Sequence, residues 1–357
     1  MANAATFSTK GLTFYLQSKR AKVDANAVSH LVQFIQGAKH SLDVAIYDMK
    51  NPDVLKALKK MSSKVQLHIA YDGGTGSKVG GGSTTVDPKV GTAKAIMDAG
   101  LKKFAHPVIE KGRHLMHDKF IVRDGASVWT GSGNFTNGGL LLQDNNFFII
   151  DSPVVAAAYA KTFGDIAAPG HAASHTKGVT GVPIKVKLGN IPVSIFFSTQ
   201  VTEAEGIESE VQARLKGAKK IRIIAMLISD KGILASLLAL KNKDIKGVID
   251  PHEMKQVMKN KAGDPSFWFA NGDKRFVAAP SHAFNGKGDK NDFMHNKVMI
   301  IDGKVVITGS YNFSENAELN DENMLIIESP AVAAAYDKYF NALFAQYQKN
   351  GAKLPPA

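Results

Sequence analysis

The chain has no cysteine among its 357 residues. That absence excludes disulfide stapling, thiolate metal ligands and a cysteine nucleophile. It contains no run of 18 uncharged apolar residues, which argues against a membrane-spanning helix. Acidic residues are in deficit, 32 against 44 Lys and Arg, leaving a formal charge of +12. Such an excess favours encounter with an anionic membrane surface or with nucleic acid, and equally suits a basic soluble surface with no partner. The opening MANAATFSTKG lacks the basic and then apolar segments of a signal peptide. Its Ala-Asn-Ala instead looks like what processing leaves behind, which gives a secreted or periplasmic location as the expectation. At 44% hydrophobic, the composition is that of a folded protein long enough for two domains.

The chain repeats itself. Residues 117–124 read HDKFIVRD and residues 295–302 read HNKVMIID, both His-x-Lys-x4-Asp. Each copy continues through six residues into Gly-Ser-x-Asn, as Gly131, Ser132 and Asn134, then as Gly309, Ser310 and Asn312. The similarity extends outward. NNFFIIDSPVVAAAYAKTF at 145–163 mirrors ENMLIIESPAVAAAYDKYF at 322–340, after a difference of one residue in length, and GAKHSLDVAIY mirrors GAKKIRIIAML upstream. A domain has been duplicated.

Each half predicts the same order of elements. A helix comes first, with Val28, Leu31, Val32 and Ile35, or Ile207, Val211 and Leu215, at helical spacing. Apolar runs at 42–47 and 221–227 predict strands, and a further helix and strand end near Asp72 and Asp250. The motif strands at 120–122 and 298–301 turn at Asp-Gly into 128–130 and 305–308, and 147–150 and 324–327 add another strand. Ser152-Pro153 and Ser329-Pro330 then read as caps of Ala-rich helices carrying Tyr159 and Tyr336. The breaker-rich stretch 168–183 reads as a linker, dividing the chain into domains 1–174 and 175–357. Alternating helices and strands make each an α/β sandwich with helices covering a central sheet. The glycine-rich stretch 72–84 lacks a phosphate-loop pattern and reads as a flexible loop, a plain one before one beside a site mouth.

In a strand, residues two apart share a face, so His117 with Lys119, and His295 with Lys297, reach one cavity. Two packed halves would then supply paired His, Lys, Asn and Ser. That set suits a phosphodiester. Lysine charge, amides and hydroxyls stabilise oxygens that grow more negative in the transition state. One imidazole attacks phosphorus and the other protonates the departing oxygen, while lysine holds its proton too tightly for either role. An acid should orient each ring, and Asp144 and Glu322, each 27 residues beyond a motif histidine, are the candidates. Asp124 and Asp302, at the turns, hold local geometry. A single complete motif arises by chance at a frequency of about 10⁻⁵ to 10⁻⁴, so two at equivalent places favour catalysis over a preserved structural turn.

These twelve residues, His117, Lys119, Asp124, Gly131, Ser132 and Asn134 with their counterparts His295, Lys297, Asp302, Gly309, Ser310 and Asn312, resemble the phospholipase D superfamily. The resemblance implies a pseudo-dimeric α/β/α sandwich acting through a covalent phosphohistidine, with no metal and no other cofactor. It also implies His117 as nucleophile and His295 as general acid, an order that the residues alone leave open. Phospholipid hydrolysis, with or without transfer of the phosphatidyl group, is the leading expectation. Nuclease action is the alternative, and an inactive phosphate-binding or structural protein is the third. The aromatic stretch PSFWFANG at 265–272 suggests an apolar substrate mouth or, as readily, a buried loop anchor. His114 and His117 lack an acid at a persuasive ligand spacing, and His171 and His175 read as solvated or loosely packed in the linker rather than as a metal site. His282 reads as loop packing or, as the lesser alternative, a lining of the substrate mouth, and Trp129 as core. Since both half-sites lie in one polypeptide, no protein partner is needed to assemble the site.

Overall fold

Each half opens on a hairpin, ahead of the helix expected first. In the first half the elements are β1 (Thr6–Thr9), β2 (Leu12–Gln17), α1 (Ala27–Gln36), β3 (Ser41–Ile46), α2 (Pro52–Met61), β4 (Gln66–Asp72), α3 (Gly91–Asp98), β5 (Ala105–Val108), β6 (Lys119–Arg123), β7 (Ser127–Gly131), β8 (Asn145–Asp151) and α4 (Pro153–Ile166). The second half repeats them as β9 (Ile184–Leu188), β10 (Ile191–Phe197), α5 (Ile207–Leu215), β11 (Lys220–Ala225), α6 (Lys231–Ala239), β12 (Asp244–Ile249), α7 (Pro251–Val257), β13 (Phe276–Ala278), β14 (Lys297–Ile301), β15 (Val305–Gly309), β16 (Asn323–Glu328) and α8 (Pro330–Lys349). The computed structural model describes residues 6–76, 91–109, 114–168, 183–198, 206–270, 272–279, 292–349, 353–354 and 356. The expected linker with His171 and His175, most of the glycine-rich stretch and His282 lie outside the described residues. The proposed division near residue 175 falls there too, between α4 and β9.

The two sheets have one topology. Strand order is β1-β2-β8-β7-β6-β3-β4-β5 in the first and β9-β10-β16-β15-β14-β11-β12-β13 in the second. β3 and β4 run parallel because the crossover α2 joins them, and β11 and β12 do the same through α6. The motif strands β6–β7 and β14–β15 are antiparallel hairpins in mid-sheet, each with its second strand paired to β8 or β16. Both motifs therefore sit where strands are flanked on both sides.

Strand alternation sorts the side chains into layers. Val44, Ile46 and Ile121 pack outward with Leu31, Phe34 and Ile35 of α1, and Trp129 is fully buried in this outer layer. Ala45, Phe120 and Val122 face inward, onto a cluster that also holds Tyr159 and Phe163 of α4, Tyr336 and Phe340 of α8, and Val298, Ile300, Leu325 and Ile327 of the second sheet. One continuous core thus joins the halves, with α4 and α8 between the sheets. The serine caps form as the sequence predicts: Ser152 accepts from the Val155 N–H, and Ser329 from the Val332 N–H.

The aromatic stretch is an anchor, not a mouth. Phe267 and Phe269 are buried in the second outer cluster, and Trp268 meets Phe276 edge-on at 5.5 Å beneath the Arg275 guanidinium, 4.7 Å from the ring centroid. Burying these rings against the sheet edge contributes more than exposing them to water would allow.

Candidate active site

Each half-site is built by a short strand and its turn. Lys119 and Lys297 are the first residues of β6 and β14, and the histidines precede them by two positions. Asp124 turns the hairpin at φ 56°, and its carboxylate accepts from the N–H groups of Lys39, His40 and Ser41 at 2.7–3.1 Å. Burial raises its pKa, but those three donors win and hold the carboxyl below the usual range. Asp302 sits at φ 51°, and its carboxylate likewise accepts from the N–H groups of Lys219 and Lys220, at 2.9 and 2.8 Å. The motif aspartates thus fasten their hairpins to the starts of β3 and β11, remote from the imidazoles. Asp124→Ala should cost about 3 kcal/mol, from lost charged hydrogen bonds and from replacing a residue whose short polar side chain tolerates the left-handed region by one that tolerates it less. Chemical denaturation measures it, and the folded variant should retain its turnover per molecule.

The halves meet reciprocally at the motifs. The His117 N–H donates to the Asp321 carbonyl at 3.0 Å, and the His295 N–H to the Asp144 carbonyl at 3.1 Å. Met116 bridges Asp321 just as Met294 bridges Asp144. Exchange of equivalent residues across a contact is what an approximate two-fold axis produces. The interior repeats it: the Asn146 amide donates to Thr308 at 2.7 Å, and the Thr130 hydroxyl to Asn323 at 3.3 Å.

Each imidazole is oriented by the opposite half. Nδ1 of His117 lies 2.8 and 2.9 Å from the two carboxylate oxygens of Glu322. Nδ1 of His295 lies 3.0 Å from Oδ1 of Asn145. The expected partner Asp144 is displaced by one position. The strand registers pair Gly131 with Phe147 and Gly309 with Met324, so Asn146 corresponds to Asn323. The stretch from Asn134 to Asn146 is one residue longer than that from Asn312 to Asn323, and Asn145 aligns with Glu322. The serines confirm the register: Ser132 Oγ donates to Asn145 Oδ1 at 2.8 Å, and Ser310 Oγ to Glu322 Oε2 at 2.6 Å. Asp144 instead accepts from the Tyr347 hydroxyl at 2.5 Å, and burial pushes it up to about 7. It ties α8 to the first half. Asn145 Nδ2 donates to the Gly139 carbonyl at 2.9 Å, which leaves its oxygen for the ring. The amide therefore accepts from Nδ1–H, so this tautomer keeps Nε2 for chemistry on both histidines.

The electrostatics join the two half-sites into one. Burial comes first in pulling both histidines well below the ordinary imidazole value, and the charges of Lys119 and Lys297 act on both rings in the same direction. The Ser310 main chain supports the charged form of His117, and that of Ser132 the charged form of His295. Burial lowers Lys119 to about 8 against the pull of Glu322, Asp118, Asp72 and Asp48, and lowers Lys297 well below the usual amine value. It also raises Glu322 to about 7, despite the two lysines. Lys119 donates to the His117 carbonyl, and Lys297 to the His295 carbonyl at 2.6 Å, so both amines stay beside their rings.

Asn134 and Asn312 follow the buried serines by two residues, and each keeps a buried Oδ1 without a hydrogen-bond partner. Three further residues carry no mark in the repeated motif. Tyr47 packs edge-on against His117 at 4.9 Å. Asp118, at a variable position inside the motif, accepts from Asn323 Nδ2 at 2.6 Å. Asn145 has no signal of its own beyond its place opposite Glu322.

Comparisons with known proteins fit this geometry. The family described as "Cardiolipin synthase, PLD-like domain" matches twice, over residues 31–167 and 211–344, together most of the chain. A mitochondrial cardiolipin hydrolase of Xenopus laevis is 41% identical over 85 residues, which are 21% of this chain and 40% of that protein. A phospholipase D of Rickettsia conorii is 56% identical over 43 residues, 12% of this chain and 22% of that protein. The chain thus spans less than half the length of these relatives. The crystal structure of a phosphatidylserine synthase from Haemophilus influenzae Rd KW20 shares the fold, with a TM-score of 0.67 over 96% of this chain and 89% of that one, at 13% identity. Doubled motif, repeated topology and reciprocal half-sites agree with the family match: the chain belongs to the phospholipase D-like family of phosphodiesterases, with both half-sites in one polypeptide.

Proposed function

We propose that the protein cleaves the headgroup-side phosphodiester bond of phospholipids through a phosphohistidine on His117. The observation that carries the mechanism is the unequal support of two imidazoles in one site, Glu322 behind His117 and Asn145 behind His295. A carboxylate on Nδ1–H strengthens Nε2 as a nucleophile and stabilises the positive ring that forms when Nε2 bonds to phosphorus. A neutral amide fixes the other ring without holding its proton, which suits a group that must give the proton away.

The steps balance. Nε2 of His117 attacks phosphorus, the bond from phosphorus to the headgroup oxygen breaks, and Nε2–H of His295 protonates that oxygen. Water then attacks the phosphohistidine and surrenders a proton to His295, which frees His117 and releases a phosphomonoester. An alcohol in place of water transfers the phosphatidyl group instead. The substrate anion helps to load His295: its negative charge offsets the two lysines that otherwise disfavour imidazolium. Lys119 and Lys297 bind the phosphoryl oxygens, and Asn134 and Asn312 are the amides placed to assist.

Lipid is favoured over nucleic acid on two grounds. The relatives above are named for cardiolipin and phospholipid reactions. The charge of +12 is a sum over the whole chain, whereas Glu322, Asp118, Asp72 and Asp48 all act on Lys119. Carboxylates at that density suit one phosphodiester better than a run of phosphates. Turnover of phosphatidylglycerol, cardiolipin, phosphatidylcholine, single-stranded DNA and double-stranded DNA, with EDTA present, tests the reading. Lipid turnover is the expected result. DNA cleavage with inert lipids would overturn the substrate class and leave the two-histidine site standing.

A further inference from the structure

Four large apolar side chains are exposed among the described residues: Met97, Leu141, Val154 and Leu319. Two of them occupy equivalent positions. Leu141 and Leu319 each follow a motif asparagine, Asn134 or Asn312, by seven residues. Their segments differ in sequence, Gly138–Leu142 being GGLLL and Glu315–Leu319 being ENAEL. Both nevertheless turn a leucine outward, 50% exposed at Leu141 and 38% at Leu319.

These segments border the reaction centre. The Gly139 carbonyl accepts from Asn145, the partner of His295, and a side chain at Gly139 would strike the Asn134 carbonyl. Leu319 adjoins Asn320, whose amide donates to Glu322 at 3.2 Å and whose oxygen accepts from the Leu115 N–H at 3.0 Å. A second equivalent pair, Leu115 and Phe293, stands two residues before each histidine, and both are half-buried. Phe293 meets His295 edge-on at 5.4 Å. Apolar side chains therefore flank the site on both sides of its approximate two-fold axis.

We propose that Leu141 and Leu319, with Leu115 and Phe293 behind them, are a rim by which the protein seats on an anionic phospholipid bilayer. The occupant follows from charge and place. A chain of +12 is drawn to an anionic surface, and the rim borders the point where a headgroup must leave the interface to meet both imidazoles. The proposal rests on the lipid reading, and it predicts which residues make the surface contact.

The experiment uses full-length Leu141→Ser/Leu319→Ser with two readouts. One is sedimentation with phosphatidylglycerol–phosphatidylcholine vesicles, performed in the His117→Asn background so that the lipid stays intact. The other is the ratio of turnover on such vesicles to turnover on short-chain phosphatidylglycerol dispersed as monomers. Both should fall about tenfold or more, the size expected when two half-exposed leucines no longer leave water. Unchanged vesicle binding and an unchanged ratio would overturn the rim. So would self-association of the parent chain that the same substitutions abolish, because a second copy would then be the occupant. Absence of turnover on every lipid, with vesicle binding still dependent on the leucines, would instead sink the substrate assignment and leave the surface in place.

Discussion

His117→Asn should lower phosphodiester turnover by about 10⁴-fold or more and leave no covalent adduct, whereas His295→Asn should lower it by about 10²- to 10⁴-fold and allow an adduct to accumulate. The difference follows from what each ring does in the proposed mechanism. Without His117 nothing in the site attacks phosphorus, since Lys119 and Lys297 stay tied to the carbonyls beside them. Without His295 the attack survives wherever the leaving group departs without a proton. A p-nitrophenyl phosphodiester meets that condition, so His295→Asn should form the adduct with it at a rate near that of the parent chain. The adduct then persists, because the group that draws the proton from water is missing. Quenching in alkaline denaturant, where the phosphorus–nitrogen bond survives, followed by mass spectrometry of the peptide containing residue 117 reads this directly. An adduct on residue 295, formed by His117→Asn, would reverse the assignment. It would also mean that the amide of Asn145 supports a nucleophile better than the carboxylate of Glu322, contrary to the electrostatics of the two rings.

What was legible in the sequence was what repeats locally. Alternation along 120–122 and 298–301 places two strands and their polar neighbours, and the Asp-Gly turns close them. The hairpins β1–β2 and β9–β10 were not legible as sheet members, because their partners β8 and β16 lie more than a hundred residues away. Stretches such as Phe14 to Leu16 acquire a buried face only through that pairing. The site shows the same limit. His117 and Glu322 are 205 positions apart, and no spacing rule relates a ring in one half to a carboxylate in the other. The one-residue length difference made Asp144 the natural choice by counting from His117. Counting back from the shared strand β8, by contrast, sets Asn145 opposite Glu322. Side-chain chemistry could not settle that choice, since an acid is the more obvious partner for histidine. The register of Ser132 on Asn146 does settle it.

Gly131→Ala should cost about 4 kcal/mol, a large part of the 5–15 kcal/mol that ordinarily holds a domain folded. Gly131 sits at φ 151°, and a Cβ there would come within 2.2 Å of the Asn146 carbonyl oxygen and 2.9 Å of the Phe147 Cα. Both obstacles are backbone of a paired central strand, so neither can turn aside. Gly309, at φ 144°, meets Asn323 and Met324 at 2.3 and 3.0 Å and should behave alike. The motif glycine is thus required by close approach: it lets the Ser132 N–H reach the Asn146 carbonyl at 3.1 Å and so sets the serine that holds Asn145. Gly125→Ala separates this cause from conformational strain, because Gly125 has φ 60° with nothing within 4 Å of the added carbon. It should cost only about 1 kcal/mol. Urea denaturation of the three variants compares them on one scale. Equal losses at Gly125 and Gly131 would assign the motif glycine to backbone strain alone, and close approach would no longer account for its place beside the serine.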